Sequence, residues 1–359
     1  MNHTADSAVA MKDLGECSKK FMAMFGLKYP IIQAGMDGAA TPRLVAAVAD
    51  SGGLGTLPLG FRSPAMALKQ VEEVKTLTRG NYMANFVLNF PALSFTTAIQ
   101  AGVRTILFSW GLPSPYMLGQ LRNAGVRMGI QISDARGAQQ ALELGADFLV
   151  CQGLEAGGHV QGNKPLMAAL EEVLVVAKDT PVVASGGIAT GCDIHQYLQA
   201  GAAAVVMGTR FAATKESAAH PLYKQAIVDA KSAADTVLTV CLNKVWPNAT
   251  HRLLRANTSF QMWEAAGRPP GPQFIPAGLP GGPLVGNRPG EHDIVALDAD
   301  GNTTWERYVD VVPVESMLEC DVNALGIYAG EGVGDINDIP YAADLMHRLV
   351  VEYNSCKVA

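Results

Sequence analysis

The chain has 359 residues, of which 49% are hydrophobic and 17% charged, and its formal net charge is −6. That length suits one large domain with a smaller one, or two of ordinary size, and the composition supplies a sizeable core and excludes global disorder. No basic run occurs, which argues against nucleic acid or an anionic membrane surface as a partner.

The first residues lack the basic-then-apolar order of a signal peptide, and no apolar run approaches membrane-spanning length. The six cysteines (Cys17, Cys151, Cys192, Cys241, Cys320, Cys356) form no C-x-x-C pair, which disfavours a zinc ribbon or a disulfide scaffold. Sequons at Asn2, Asn248, Asn257 and Asn302 are read as chance matches. A cytoplasmic, soluble protein is expected.

Residues 1–20 mix small and charged types, as a loose arm or a short helix would. From Tyr29 short apolar runs fit strands at Ile31–Gln33, Leu54–Leu57, Met83–Leu88, Thr105–Phe108, Arg127–Ile132, Phe148–Cys151, Val182–Ser185 and Ala204–Met207. Helix-starting signals lie between them: Thr41-Pro42, Ser63-Pro64 and Ser133-Asp134 each precede apolar residues at helical spacing. Several of these segments end at a glycine, namely Gly52, Gly102, Gly125, Gly145 and Gly201. Eight such units of roughly 20–33 residues predict an α/β fold, a (β/α)8 TIM barrel over 21–235. The competing doubly wound sheet lacks its dinucleotide fingerprint, and no P-loop is present.

After a helical stretch from Lys215 to Ala233 the character changes. Residues 236–325 contain Trp246-Pro247, Arg268-Pro269-Pro270-Gly271-Pro272 and Gly278-Leu279-Pro280-Gly281-Gly282-Pro283. A stretch so dense in Pro and Gly either packs as a lid or stays mobile. It is read as a cap domain inserted after strand eight. Residues 326–359 then give a loop, Gly330-Glu331-Gly332-Val333-Gly334, and a last helix with Pro340 in its first turn. Ala343, Leu345, Met346, Leu349 and Val350 form that helix's apolar face, packing back on the barrel.

Active sites of this fold lie at the C-terminal ends of the strands, and the loops after strands seven and eight often hold a phosphate. Here those loops are Ser185-Gly186-Gly187-Ile188 and Gly208-Thr209-Arg210-Phe211. Glycine backbone N–H groups can face an anion, although tight turns without a ligand have the same composition. The loop Ala34-Gly35-Met36-Asp37-Gly38 could admit a flat ring or be a compact turn. Asn85 and Asn89 on strand three, and Gln131 on strand five, are polar interruptions that could meet a ring edge or be satisfied structurally. The glycine-rich turn after strand six, Glu155-Ala156-Gly157-Gly158-His159, carries one carboxylate and a histidine suited to acid, base or hydrogen-bonding work. The seven histidines do not pair with each other or with cysteines at metal-ligand spacing, so no metal site is expected. No G-x-S-x-G elbow occurs.

Pro30-Ile31-Ile32-Gln33-Ala34-Gly35-Met36, Glu155-Ala156-Gly157-Gly158-His159, Ala184-Ser185-Gly186-Gly187-Ile188 and Met207-Gly208-Thr209-Arg210-Phe211 come in the order and spacing of the nitronate monooxygenases, formerly 2-nitropropane dioxygenases. Glu216-Ser217 and Ala329–Gly334 also resemble family features. The resemblance covers residues 25–235 and 325–352, while the cap matches only in Pro247 and His251-Arg252. It implies a barrel flavoprotein with non-covalent FMN. By position Gly35, Met36 and Asp37 would border the isoalloxazine ring, Asn85 would bond its edge, and Gln131 would lie beside it. Gly158, Ser185, Gly186, Gly187, Gly208 and Thr209 would hold the ribityl phosphate, and His159 would be the catalytic histidine. Where many relatives carry a lysine on strand five, this chain has Gln131, so a point charge near the flavin is missing.

The resemblance implies an oxidoreductase that oxidises alkyl nitronates with O2, through reduced flavin, to a carbonyl compound and nitrite. The alternative is a flavin reductase using NAD(P)H as reductant and acting on a quinone or enoyl thioester, in which His159 polarises the acceptor carbonyl. A non-catalytic flavin-binding protein is a third reading, which a solvent-facing turn carrying His159 argues against. The expected partners are a small-molecule substrate and either O2 or a nicotinamide, and the cap could equally be a homo-oligomer contact.

Overall fold

In the computed structural model the described residues are 9–271 and 288–356. Residues 1–8 of the expected arm, and Pro272 and Gly278–Pro283 of the expected cap, lie outside them. Eight parallel strands alternate with helices: β1 Ile31–Gln33, β2 Gly55–Pro58, β3 Tyr82–Val87, β4 Thr105–Ser109, β5 Arg127–Ile132, β6 Phe148–Gln152, then, after a two-residue strand β7 (Gly158–His159), β8 Val182–Ser185 and β9 Ala204–Met207. Their order is β1-β9-β8-β6-β5-β4-β3-β2, and an Ile32–Leu54 bridge joins the outermost two. This is the (β/α)8 barrel the spacing predicts, with β2 and β3 shifted by one residue and β4 and β6 one residue longer than expected.

The helix signals act as read. Ser63 accepts a hydrogen bond from the Met66 N–H and Asp134 from the Gly137 N–H, capping α3 (Pro64–Leu77) and α6 (Ala135–Glu143). The five helix-ending glycines all take positive φ, between 62° and 106°.

The N-terminal arm contains a short helix, one of its two expected forms. Helix α1 spans Glu16–Phe25, across the expected 20/21 boundary. Phe21 and Phe25, one turn apart, meet Phe148 edge-on with ring centroids 5.9 and 5.5 Å away. They join Ile32, Leu54, Met83, Val150 and Val183 in the core inside the barrel, so α1 closes one end of it. Burying each such side chain contributes about 2 kcal/mol.

Helix α10 (Pro221–Asp229) occupies only part of the expected 215–233 stretch. Then β10 (Thr236–Thr239) and β11 (His251–Leu254) pair antiparallel, and β11 pairs in turn with β7, placing His251 opposite His159. This sheet therefore draws on both sides of the 235/236 boundary. Helix α11 (Thr258–Ala265) follows, and then a sheet in the order β13-β12-β14, formed by Ile294–Leu297 (β12), Thr304–Glu306 (β13) and Glu319–Cys320 (β14). The last helix, α12 (Ala342–Ser355), starts after Pro340. It buries Ala342, Leu345, Met346, Leu349, Val350 and Tyr353, while Ala343 faces solvent. Glu216 accepts hydrogen bonds from the Ala342 N–H at 3.0 and 3.1 Å, so its role is to cap this helix.

Candidate active site

One cavity of about 610 Å³ opens at the C-terminal ends of the barrel strands, and all twelve sequence-predicted site residues border it. Its two ends are built differently.

At one end the walls are backbone. The N–H groups of Gly186, Gly187, Gly208 and Thr209 donate to no acceptor among the described residues, and Ser185 stands beside them in the lining. Gly187 has φ +69°, and a Cβ there would come within 2.9 Å of the Glu155 Cβ, so only glycine fits. The Gly330–Gly334 loop clamps these turns. A Cβ on Gly332 would sit 2.2 Å from the Gly187 carbonyl oxygen, the Gly330 N–H donates to the Thr209 hydroxyl at 3.0 Å, and the Glu331 N–H to the Glu155 carbonyl at 2.9 Å. The Glu155 carboxylate accepts the Leu166 N–H at the start of α7 (Leu166–Ala177). Arg210 turns away, buried against Asp338 at 3.1 Å. What remains is a cradle of unpaired donors that suits an anion.

The floor is formed by the loop after β1 and by β3. A Cβ on Gly35 would lie 2.9 Å from the Asn85 Cβ, so here glycine makes room for the neighbouring asparagine. Asn85 donates to the Leu107 carbonyl and the Ser109 hydroxyl at 3.1 and 3.3 Å, which aims its amide while leaving its oxygen free. Met36 and Asp37 border the same floor, and Asp37 pairs with Arg62 at the mouth.

The other end is side chain. His159 is not on a solvent-facing turn: its side chain is only 16% exposed. Pairing of β7 with β11 fixes its backbone, and Gly158, at φ +72°, makes the bend that brings the chain in. Trp246 stacks on the His159 ring at 4.4 Å, Trp110 meets Trp246 edge-on at 4.6 Å, and Tyr328 stands 5.7 Å from the histidine. Phe90 and then Phe61, which is 45% exposed, carry the aromatic wall from Trp246 to the surface. Burial pushes His159 down to about 3, helped by His251, so the ring is neutral near pH 7. Asp310 lies 3.8 Å from its Nε2, and burial pushes that carboxyl up to about 6.

Gln131 has an internal partner. Its amide donates to Gln161 Oε1 at 3.2 Å; the Gln161 N–H donates to Gln152 Oε1 at 2.7 Å, and Gln152 to the His159 carbonyl at 3.3 Å. Three glutamines thus link strand five to the histidine loop.

Sequence reasoning missed Trp110, Trp246, Asp310, Tyr328 and Gln161. Trp246 beside Pro247, a bulky aromatic on a stiff loop, was the one weak signal. Among the described residues no cluster of three or more His, Cys, Asp or Glu side chains is placed to hold a metal, and no helix is long and apolar enough to cross a membrane.

The comparisons agree with this architecture. Residues 18–352 match the nitronate monooxygenase family. The chain is 31% identical over 264 residues to a probable nitronate monooxygenase of Staphylococcus aureus, covering 60% of this chain and 73% of that one. FabK from Thermotoga maritima superposes with a TM-score of 0.71 at 25% identity, over 93% of this chain and 95% of that one. A nitroalkane oxidase from Streptomyces ansochromogenes shares the fold, with a TM-score of 0.71 at 22% identity over 93% and 97%. With its barrel, its glycine cradle and a match over nearly the whole chain, the protein belongs to the nitronate monooxygenase family of flavin-dependent oxidoreductase enzymes.

Proposed function

We propose that the protein binds FMN without a covalent bond and oxidises alkyl nitronates with O2 to a carbonyl compound and nitrite. The observation that carries this is one cavity with free backbone donors at one end and a neutral, buried histidine under an aromatic wall at the other. The N–H groups of Gly186, Gly187, Gly208 and Thr209, with Ser185 and Gly158 beside them, would hold the phosphate. Gly35, Met36, Asp37, Asn85 and Gln131 would border the ring. When bound, the flavin supplies the electron acceptor.

The chain's own residues bind and orient. Neutral His159 can donate a hydrogen bond to a nitronate oxygen, and such a bond is strong where the acceptor is charged. Trp110, Trp246 and Tyr328 exclude water, which strengthens every polar contact in the pocket. Residues 236–325 act as a cap in this reading, because Val245, Trp246 and Asp310 complete the substrate end. The protein would work in the cytoplasm.

A second reading is NAD(P)H-dependent reduction of a quinone or enoyl thioester, with His159 polarising the acceptor carbonyl. It is favoured by the length of the wall from exposed Phe61 through Phe90 and Trp246 to His159, which suits a flat or extended partner.

Anaerobic bleaching of the bound flavin separates the two. Propyl-2-nitronate is expected to bleach it, and NADH and NADPH to act slowly or not at all. Rapid bleaching by a nicotinamide alone would overturn the first reading in favour of the second. Protein that stays colourless after reconstitution with FMN would sink both.

A further inference from the structure

Three buried polar atoms around the histidine have no hydrogen-bond partner among the described residues: His159 Nε2, Asp310 Oδ1 and the Tyr328 hydroxyl. Native proteins leave few such atoms unpaired, and here three converge on one cavity. Asp310 Oδ2 stands 3.8 Å from His159 Nε2, beyond hydrogen-bond length yet within reach of a small side-chain shift. His159 Nδ1 has no hydrogen-bond partner among the described residues either and is not one of the fully buried atoms, so it is the ring nitrogen open to the cavity that His159 lines. A carboxyl group on one side of an imidazole and an open nitrogen on the other is the arrangement of an acid–imidazole pair.

We propose that Asp310 is a positioning residue acting through His159, and that the two together take up one proton when an anionic head group binds at the open ring nitrogen. The inference rests on the nitronate reading, since an anionic substrate is what demands the proton. An ionised Asp310 would otherwise set a second negative charge against the substrate in a dry pocket.

The surrounding groups leave the proton few other homes. Asp310 is faced by His159 from β7, by Tyr328, by the Val245 backbone and by Asp37, which is paired with Arg62. His159 is faced in turn by His251 and Tyr328. Burial drives His251 down to about 4 and Tyr328 well above the ordinary tyrosine value, and holds nearby Cys241 up at about 12. Burial first, and the Asp37 charge less so, pushes Asp310 up to about 6. Asp310 is thus the group of this set that changes charge near neutrality. Above pH 6 the free site is negative, so anion binding must bring a proton with it, and affinity falls as pH rises.

The test uses the FMN-loaded enzyme with nitrate as probe, a planar anion that keeps one charge throughout the range. Nitrate affinity is read from the perturbed visible absorbance of the flavin between pH 6 and 8. Proton uptake is read at pH 7.5 by calorimetry in two buffers of different ionisation enthalpy. The wild-type Kd is expected to rise on the order of 50-fold over the two pH units, with close to one proton taken up. Asp310→Asn should bind nitrate more tightly than wild type at pH 8 and lose the slope, because the amide is neutral; Asp310→Ser serves if that variant does not fold. A merely structural Asp310 would instead weaken binding at every pH and keep the slope. A flat wild-type profile, no proton uptake, no nitrate binding at pH 6, or a variant retaining the slope would each overturn the pair. Failure of a nitronate to bleach the flavin, with slope and uptake intact, would remove the reaction reading and leave the pair standing.

Discussion

The two ends of the cavity present a contrast in how a site is made. One end is backbone: N–H groups without an acceptor among the described residues, in two short glycine turns, 186–187 and 208–209, each directly following a barrel strand. The other end is side chain, and its members Trp110, His159, Trp246, Asp310 and Tyr328 are far apart in the chain. A backbone site tolerates almost no added atoms, because its shape depends on φ and on missing Cβ atoms. A side-chain site tolerates substitution of any one member and changes its chemistry by degrees. If this contrast holds, lesions at the first end should abolish cofactor retention, and lesions at the second should leave the flavin bound and alter turnover.

The largest effect is expected from Gly187→Val. The left-handed backbone and the 2.9 Å approach to the Glu155 Cβ each impose strain of about 1–3 kcal/mol. FMN affinity should fall by about 100-fold or more, and the purified protein should be colourless with unchanged circular dichroism. Retention of tightly bound flavin would mean that this turn is not the phosphate site. Next comes His159→Ala, which should keep its flavin spectrum and lower kcat with a nitronate by about 100-fold; full activity would remove the histidine from the reaction. Trp246→Ala removes the ring stacked at 4.4 Å on His159. An aromatic pair of this kind contributes about 1 kcal/mol, so KM should rise several-fold with flavin retained, and an unchanged KM would take Trp246 out of the substrate wall. The smallest effect is expected from Gln131→Lys. A cation restored beside the ring should raise the flavin's midpoint potential by on the order of tens of millivolts, since a charge stabilises the reduced anion. An unchanged potential would show that the glutamine chain keeps that position electrostatically distant from the flavin.

The same contrast explains what could be read from the amino acids alone. Each barrel strand is a local apolar run, and each helix boundary is signalled by a local group such as Ser63, Asp134 or a helix-ending glycine, so both were legible. The glycine turns after β8 and β9 were legible for the same reason, as was His159 in its own glycine turn. Helix α1 was legible only as one of two alternatives, an arm or a short helix, and the aromatic core around Phe148 decides where Phe21 and Phe25 go. Asp310 was invisible, because nothing near it in the chain says that it will be buried beside His159. Gln131 read as a missing charge, and its partner Gln161, thirty residues on, could be identified only once both strand end and loop were in place.

The sequence by itself determined the barrel and the glycine turns that follow β8 and β9, because those depend on local periodicity, local capping and glycine stereochemistry. Tertiary structure alone decided how His159 is buried, which acid faces it, and which aromatic rings cover it. Those properties are set by desolvation and by contacts between segments from 49 to 169 residues apart, and burial is a property of the folded molecule that no local stretch of sequence carries.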